Sequence, residues 1–219
     1  MLDLIENAGD RVIFQPENLH DRDEAFERVL NLYPDMRVEM NEEGNISIMA
    51  PRSIESSSGS TEVGFQLVTW AKRDGTGKAY DAAVTYNLPT GAKMSPDASW
   101  VPKSVLAKHG KAALSKVTGA VIAPVFVVEV RSHNDRLKDQ VDKCKQWIKA
   151  GVEEVWLVDP LKRNVHVFRA GLGVEVLARP TKVKSAVLDG FVLECAPVWE
   201  DEFLNVARRE VDGVCRHPR

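Results

Sequence analysis

The stretch PVFVVEVRSHNDR, residues 124–136, decides how this chain folds and where its chemistry sits. Val125, Phe126, Val127, Val128 and Val130 form a β-branched apolar run of the kind that fills a buried strand. Glu129 interrupts it. An ionised carboxylate in such a strand is costly unless a partner compensates it. Side chains alternate along a strand, so Glu129 and Arg131 share one face. The residues that follow predict a helix over 136–150. In it Leu137, Val141, Cys144 and Ile148 fall within about 60° of arc at ~100° per residue and make the buried stripe. Gln140, Lys143 and Trp147 run along one shoulder of that stripe, and a strand leading directly into this helix can aim Lys143 back at the carboxylate.

Outward from this unit the pattern alternates between strands and helices. Residues 21–32 read as an amphipathic helix in which Asp21 caps, Glu24 completes a capping box, and Phe26, Val29 and Leu30 face inward. RVEMNEEGNISIMAP (37–51) reads as a hairpin, SIESSSGS (53–60) as a loop, and TEVGFQLVTWAKR (61–73) as a second helix. KAYDAAVTYNLP predicts a strand and MSPDASWVP a short extended run, with a surface excursion and a short helix over 103–120. EVWLVDP (154–160), NVHVFRA (164–170) and VEVLA (174–178) read as consecutive strands. With no repeat and no long linker, the chain reads as one α/β domain over residues 1–219, a central sheet flanked by helices. Its core spans about 20–200, and a polar tail from Arg208 is expected to fray.

The bulk properties narrow the function. A chain of 219 residues, 44% hydrophobic and 28% charged, can bury a sizeable core. A formal net charge of −3 gives no global field toward nucleic acid, so any polyanion contact has to be a local patch. Three cysteines, widely spaced and without a CxxC pair, suit neither a zinc site nor a disulfide framework and fit a reducing cytoplasm. The acidic N-terminus is unlike a signal peptide, and no run approaches the ~18 apolar residues of a membrane span.

Asp97, in SPDASW, is a second acid in an otherwise weakly polar extended segment. Two carboxylates on neighbouring strands with a lysine make a toolkit for phosphoryl chemistry. The acids hold Mg²⁺ through oxygen, and the lysine positions or helps deprotonate a water or neutralises a phosphate. The simpler account from spacing alone is an internal ion pair of Glu129 with Arg131 or Lys143. GTGK (75–78) lacks the spacing of a phosphate loop and reads as a turn. SHND (132–135) reads as the lead-in to the helix, with Asn134 or Asp135 as its cap and His133 within reach of a phosphate.

Asp97 in SPDASWV, Glu129 in VVEVRS and Lys143 fourteen positions on resemble the PD-(D/E)XK nuclease superfamily. Within it, residues 20–200 resemble the Uma-type putative restriction endonuclease family. The likeness runs through VEMNEEGNISIMAP, the segment from TEVGFQ to SPDASWV, and EVRSHNDRLKDQVDKCKQWIKAGVEEVWLVDP, with LDGFVLECAPVW weaker. It implies a restriction-endonuclease-like α+β core, a mixed sheet between helices with an N-terminal helix and hairpin. It also implies a metal-dependent endodeoxyribonuclease using Mg²⁺, or Mn²⁺ in its place. Asp97, Glu129 and the backbone carbonyl of Val130 would hold the metal. Lys143 would be the catalytic lysine, displaced from strand to helix, with Glu62 and Gln140 supporting it and Glu39 a residue of the fold. DNA would be the substrate, with RNA left open, and a homodimer would supply two cuts in a duplex. Arg131 departs from the superfamily's strand lysine; it cannot act as a base, but with Arg136 and His133 it would contact phosphate. The alternative is a non-catalytic, nucleic-acid-binding or scaffold member of the same fold that keeps the ion cluster for structure.

Overall fold

In the computed structural model, which describes residues 2–8, 11–16, 21–49 and 54–199, the valine run is strand β9 (Phe126–Val130), buried at every position. It lies near the middle of a six-stranded sheet. The neighbours on one side are β8 (Ala98–Pro102) and then β5 (Gly77–Asp81); on the other are β10 (Glu154–Asp159), β11 (Asn164–Arg169) and β12 (Val174–Ala178). Only the β9–β10 pair is parallel. A parallel pair needs a crossover, which helix α5 (Leu137–Lys149) supplies.

That crossover fixes the two faces of the sheet. Phe126, Val128 and Val130 pack with Val63, Leu67 and Ala71 of helix α2 (Ile54–Asp74). Val127 packs on the opposite face with Cys144 and Trp147 of α5. Alternation then assigns Glu129 to the face under α5. Placing an acid there, rather than among the aromatic side chains of the α2 face, brings it within reach of Lys143.

A second six-stranded sheet is built from β1 (Leu2–Ala8), β2 (Arg11–Pro16), β3 (Arg37–Met40), β4 (Ile46–Met49), β6 (Tyr86–Asn87) and β7 (Lys93–Met94), in the order β1-β2-β4-β3-β7-β6. Helix α1 (Arg22–Leu32) covers it, with Phe26 and Val29 buried against Val38, Met40 and Ile46. Two one-turn helices, α3 (Lys103–Leu106) and α4 (Lys111–Leu114), occupy the surface excursion. A small hairpin of β13 (Lys182–Lys184) and β14 (Val192–Glu194), followed by α6 (Ala196–Trp199), closes the described chain. The expected tail from Arg208 lies outside the described residues. Among the described residues no helix is long and apolar enough to cross a membrane.

Four local expectations are corrected. The serine-rich segment is not a loop but the first turns of α2, which begins at Ile54. Serine is only a modest helix former, a deficit that tertiary packing overrides: Gly59 seats the helix against Val130 and Val198. KAYDAAVTYNLP is two strands in different sheets, parted by a turn in which Asp81 accepts the Ala83 N–H at 3.1 Å. Asp21 holds the N-cap position of α1 without a side-chain cap bond, and Glu24 pairs with Arg28 at 3.1 Å instead. The N-cap of α5 is Arg136, not Asn134 or Asp135, because Asp135 Oδ2 is already taken by the Ser132 N–H at 2.7 Å.

Candidate active site

Asp97 stands where β8 and β9 stop pairing regularly. Beyond the last paired residues, Ala98 and Val128, its N–H still reaches Val128 O at 3.1 Å. Its carboxylate then takes over as the ladder's acceptor: Val130 donates its N–H to Asp97 Oδ2 at 2.8 Å. The other oxygen, Oδ1, accepts Arg37 Nη1 at 3.3 Å. Asp97 therefore ends the strand pair with its side chain, and that anchoring holds it at the mouth of β9.

Glu129 is 1% exposed. Its Oε1 lies 2.9 Å from Lys143 Nζ and accepts the indole N–H of Trp147 at 2.7 Å. Residues four apart share a helix face, so one turn of α5 delivers both donors. Lys143 Nζ also reaches Glu39 Oε1 at 3.0 Å and Ser95 O at 2.9 Å.

Two further members come from β3 of the second sheet. Val38 and Met40 point into the α1 core, so Arg37 and Glu39 point the other way, toward Asp97 and Lys143. Glu39 Oε1 is a hub for Lys143, for Arg37 Nε at 3.1 Å and for the Ser95 N–H at 3.1 Å. Arg37 Nη2 also donates to Ser95 O. Glu39 enters the sequence reading only as a fold residue, and Arg37 does not enter it; the signal for both is the alternation of RVEM, whose polar half needs a destination.

The electrostatics follow from three acids and two bases out of water. Burial pushes the Glu129 carboxyl up; Lys143 and Arg37 draw it down, Asp97 and Glu39 push it up, and the net direction is upward. Burial would raise Glu39 too, but Lys143 and Arg37 outweigh it and hold that carboxyl below the ordinary glutamate range. Burial works against the charge of Arg37, yet Glu39, Asp97 and Glu129 leave it more firmly protonated than usual. Cys144, next to Lys143 in the chain, has its thiol pushed well up by burial and then by Glu129, which removes it as a nucleophile at neutral pH.

The remaining candidates separate. Arg131 turns away from Glu129: Nη1 pairs with buried Asp159 Oδ2 at 2.9 Å, while Nε and Nη2 both donate to Asp135 O at 3.1 Å. Its guanidinium fastens the turn into α5. His133 and Arg136 are exposed on that same turn, and Gln140 is half-buried one turn before Lys143. Glu62 sits on α2, the helix of the opposite face, where it accepts Gln66 Nε2 at 2.9 Å. Gln66 is in turn bonded to the backbone of Glu194, so Glu62 belongs to the α2–β14 contact. GTGK is a turn only at Gly75 and Thr76, where Thr76 N–H bonds Asp74 Oδ2; Gly77 and Lys78 already belong to β5, and a Cβ at Gly77 would overlap the Trp100 ring at 2.2 Å.

The donor set suits a hard cation. Asp97 and Glu129 offer carboxylate oxygens in one polar cluster between strands, with Glu39 beside them. Among the described residues no group of three or more His, Cys, Asp or Glu is gathered as a ready-made cage. Mg²⁺ does not need one, since it takes one or two carboxylates and keeps waters for the rest.

Residues 23–196 match the Uma2 family, described as "Putative restriction endonuclease". The chain belongs to this family. Among curated proteins none matches the sequence. A crystal structure similar to this Uma2 chain is that of a putative nuclease from Anabaena variabilis, with TM-score 0.60 and 19% identity over 74% of this chain and 89% of that one. That likeness identifies the fold as the restriction-endonuclease-like α+β arrangement expected from the sequence. A cryo-electron-microscopy DrdV–DNA complex aligns with TM-score 0.34 and 15% identity over 73% of this chain and 84% of that one.

Proposed function

We propose that this Uma2 protein is a metal-dependent endonuclease that hydrolyses phosphodiester bonds in DNA. The observation that carries the reading is Lys143 Nζ held 2.9 Å from Glu129 Oε1, beside Asp97, inside a chain matched to this family across most of its length. Asp97, Glu129 and the Val130 carbonyl would hold Mg²⁺ or Mn²⁺. When bound, the metal supplies a Lewis acid that activates water and offsets phosphoryl charge. Lys143 orients the attacking water and stabilises charge on the phosphate. Gln140 supports Lys143 from the preceding turn, and exposed His133 and Arg136 at the start of α5 contact the DNA backbone. Arg131 is left to structure by its pairing with Asp159, and Glu62 by its place on the other face. Two cuts in a duplex would need two copies of the chain, and the setting we propose is the cytoplasm.

A second reading is favoured by one feature. Both bases of the cluster are already bonded to acids, as in a non-catalytic member of the fold that keeps its ions for structure. Supercoiled plasmid at low salt decides between them, incubated with Mg²⁺, Mn²⁺ or EDTA and wild type, Glu129→Gln or Lys143→Ala. Metal-dependent nicking lost in both variants supports the nuclease. No cleavage, or equal cleavage by the variants, sinks it.

A further inference from the structure

Arg37 occupies an unexpected place for a side chain of the second six-stranded sheet. It crosses from β3 to Asp97, the acid that also anchors the end of β9. Its bonds are unequal. Nε lies 3.1 Å and Nη2 3.0 Å from Glu39 Oε1, and Nη2 also donates to Ser95 O, whereas Nη1 is 3.3 Å from Asp97 Oδ1. Glu39 and the Ser95 carbonyl thus hold Arg37 through Nε and Nη2, and Nη1 alone reaches Asp97. Lys143, the other base, is committed to Glu129, Glu39 and Ser95 O.

We propose that Arg37 is the resident counter-cation of the acid pair and sets its affinity for a divalent cation, which binds at Asp97 and Glu129 as the guanidinium is drawn off Asp97. The inference rests on the metal site of the preceding section and adds a residue of this chain that governs it. Like charges repel at short range, and a guanidinium on Asp97 Oδ1 stands a few ångströms from any cation held there. Because Arg37 keeps two anchors, it can yield one contact without leaving the cluster. The exchange also couples the two sheets, since β3 carries Arg37 while β9 and α5 carry Glu129 and Lys143.

The test uses full-length protein without DNA at pH 8. Mn²⁺ is titrated into wild type, Arg37→Met, Arg37→Gln and Glu129→Gln, followed by calorimetry and by tryptophan fluorescence, for which Trp147 on Glu129 is the reporter. Removing one charge next to a divalent ion is expected to tighten binding about tenfold or more in both neutral Arg37 variants, with binding lost in Glu129→Gln. Neutral variants that bind no tighter than wild type overturn the role of Arg37 and leave the metal site standing. Absence of binding in every form overturns both. In unmutated protein the Arg37 Nε–H resonance is expected to shift at saturating Mg²⁺; an unmoved resonance overturns the proposal even where the variants fail to fold.

Discussion

Trp147 donates its indole N–H to Glu129 Oε1 across 2.7 Å, where both side chains are almost fully buried. Hydrogen bonds to charged groups contribute about 1.5–3 kcal/mol. Trp147→Phe retains an aromatic ring against Tyr86, which meets Trp147 edge-on at 6.1 Å, and removes the donor. Urea unfolding is expected to show a loss in that range with an unchanged m-value. In a Glu129→Gln background the same substitution should cost only about 1 kcal/mol, the worth of a neutral hydrogen bond. Equal losses in both backgrounds would mean that packing, not the carboxylate, is what Trp147 serves.

The two glutamates on Lys143 have opposite linkage to pH. Glu129 has its folded-state carboxyl raised, chiefly by burial, so the native state holds its proton more tightly than the unfolded chain. That contribution is fully present below the ordinary glutamate value and is lost as pH climbs through the raised one. Glu39 is lowered, so its contribution is present above the ordinary value and is lost as pH falls toward the lowered one. Melting temperature against pH is expected to lose its alkaline-side decline in Glu129→Gln and its acid-side decline in Glu39→Gln. If Glu129→Gln leaves the slope above the ordinary glutamate range unaltered, the buried-acid account of Glu129 fails.

Arg131, one residue past β9, stands where the motif that the sequence resembles has lysine, yet it serves Asp159, which is fully buried. Removing one partner of a buried pair costs about 3–5 kcal/mol. Arg131→Ala is therefore expected to lower the unfolding free energy by about that much, while the folded fraction keeps its metal affinity. Arg131→Lys combined with Lys143→Ala should stay inactive in plasmid nicking, since a lysine at 131 would still be drawn to Asp159. Restored cleavage in the double variant would show that position 131 can carry the catalytic lysine.

The core of the molecule was legible because it is periodic. The run at 124–130 and the stripe of Leu137, Val141 and Cys144 define a strand and a helix, and they put Lys143 within reach of Glu129. The boundaries that local composition misstates are those decided by distant contacts. Serines at 56–58 continue a helix because Gly59 and Val63 pack on the sheet, which no serine-rich window reveals. Trp147 reads as a shoulder residue yet is fully buried, because the irregular surface excursion and β6 add a second wall there. Arg37 was hidden for a different reason. Its partners Asp97 and Ser95 lie about sixty residues away, in the link between β7 and β8, and spacing within one hairpin cannot show which acid its polar face meets.

Glu39 gathers Lys143, Arg37 and the Ser95 N–H on a single oxygen, so it positions the lysine without being placed on the metal. Glu39→Gln preserves the shape and an acceptor for Ser95 but removes the charge that holds Lys143 between two acids. The substitution is expected to slow single-turnover plasmid nicking about 10²-fold, within the usual range for a displaced general acid or base. DNA affinity should be little altered, because Glu39 faces the interior of the cluster. A purely structural residue would instead lower the active fraction, leaving the rate per active molecule unchanged. Active-site titration separates the two, and Glu39→Asp, which restores the charge on a shorter stem, should recover part of the rate. A Glu39→Gln protein with an unaltered single-turnover rate would remove Glu39 from the machinery and leave Lys143 oriented by Glu129 and Ser95 alone.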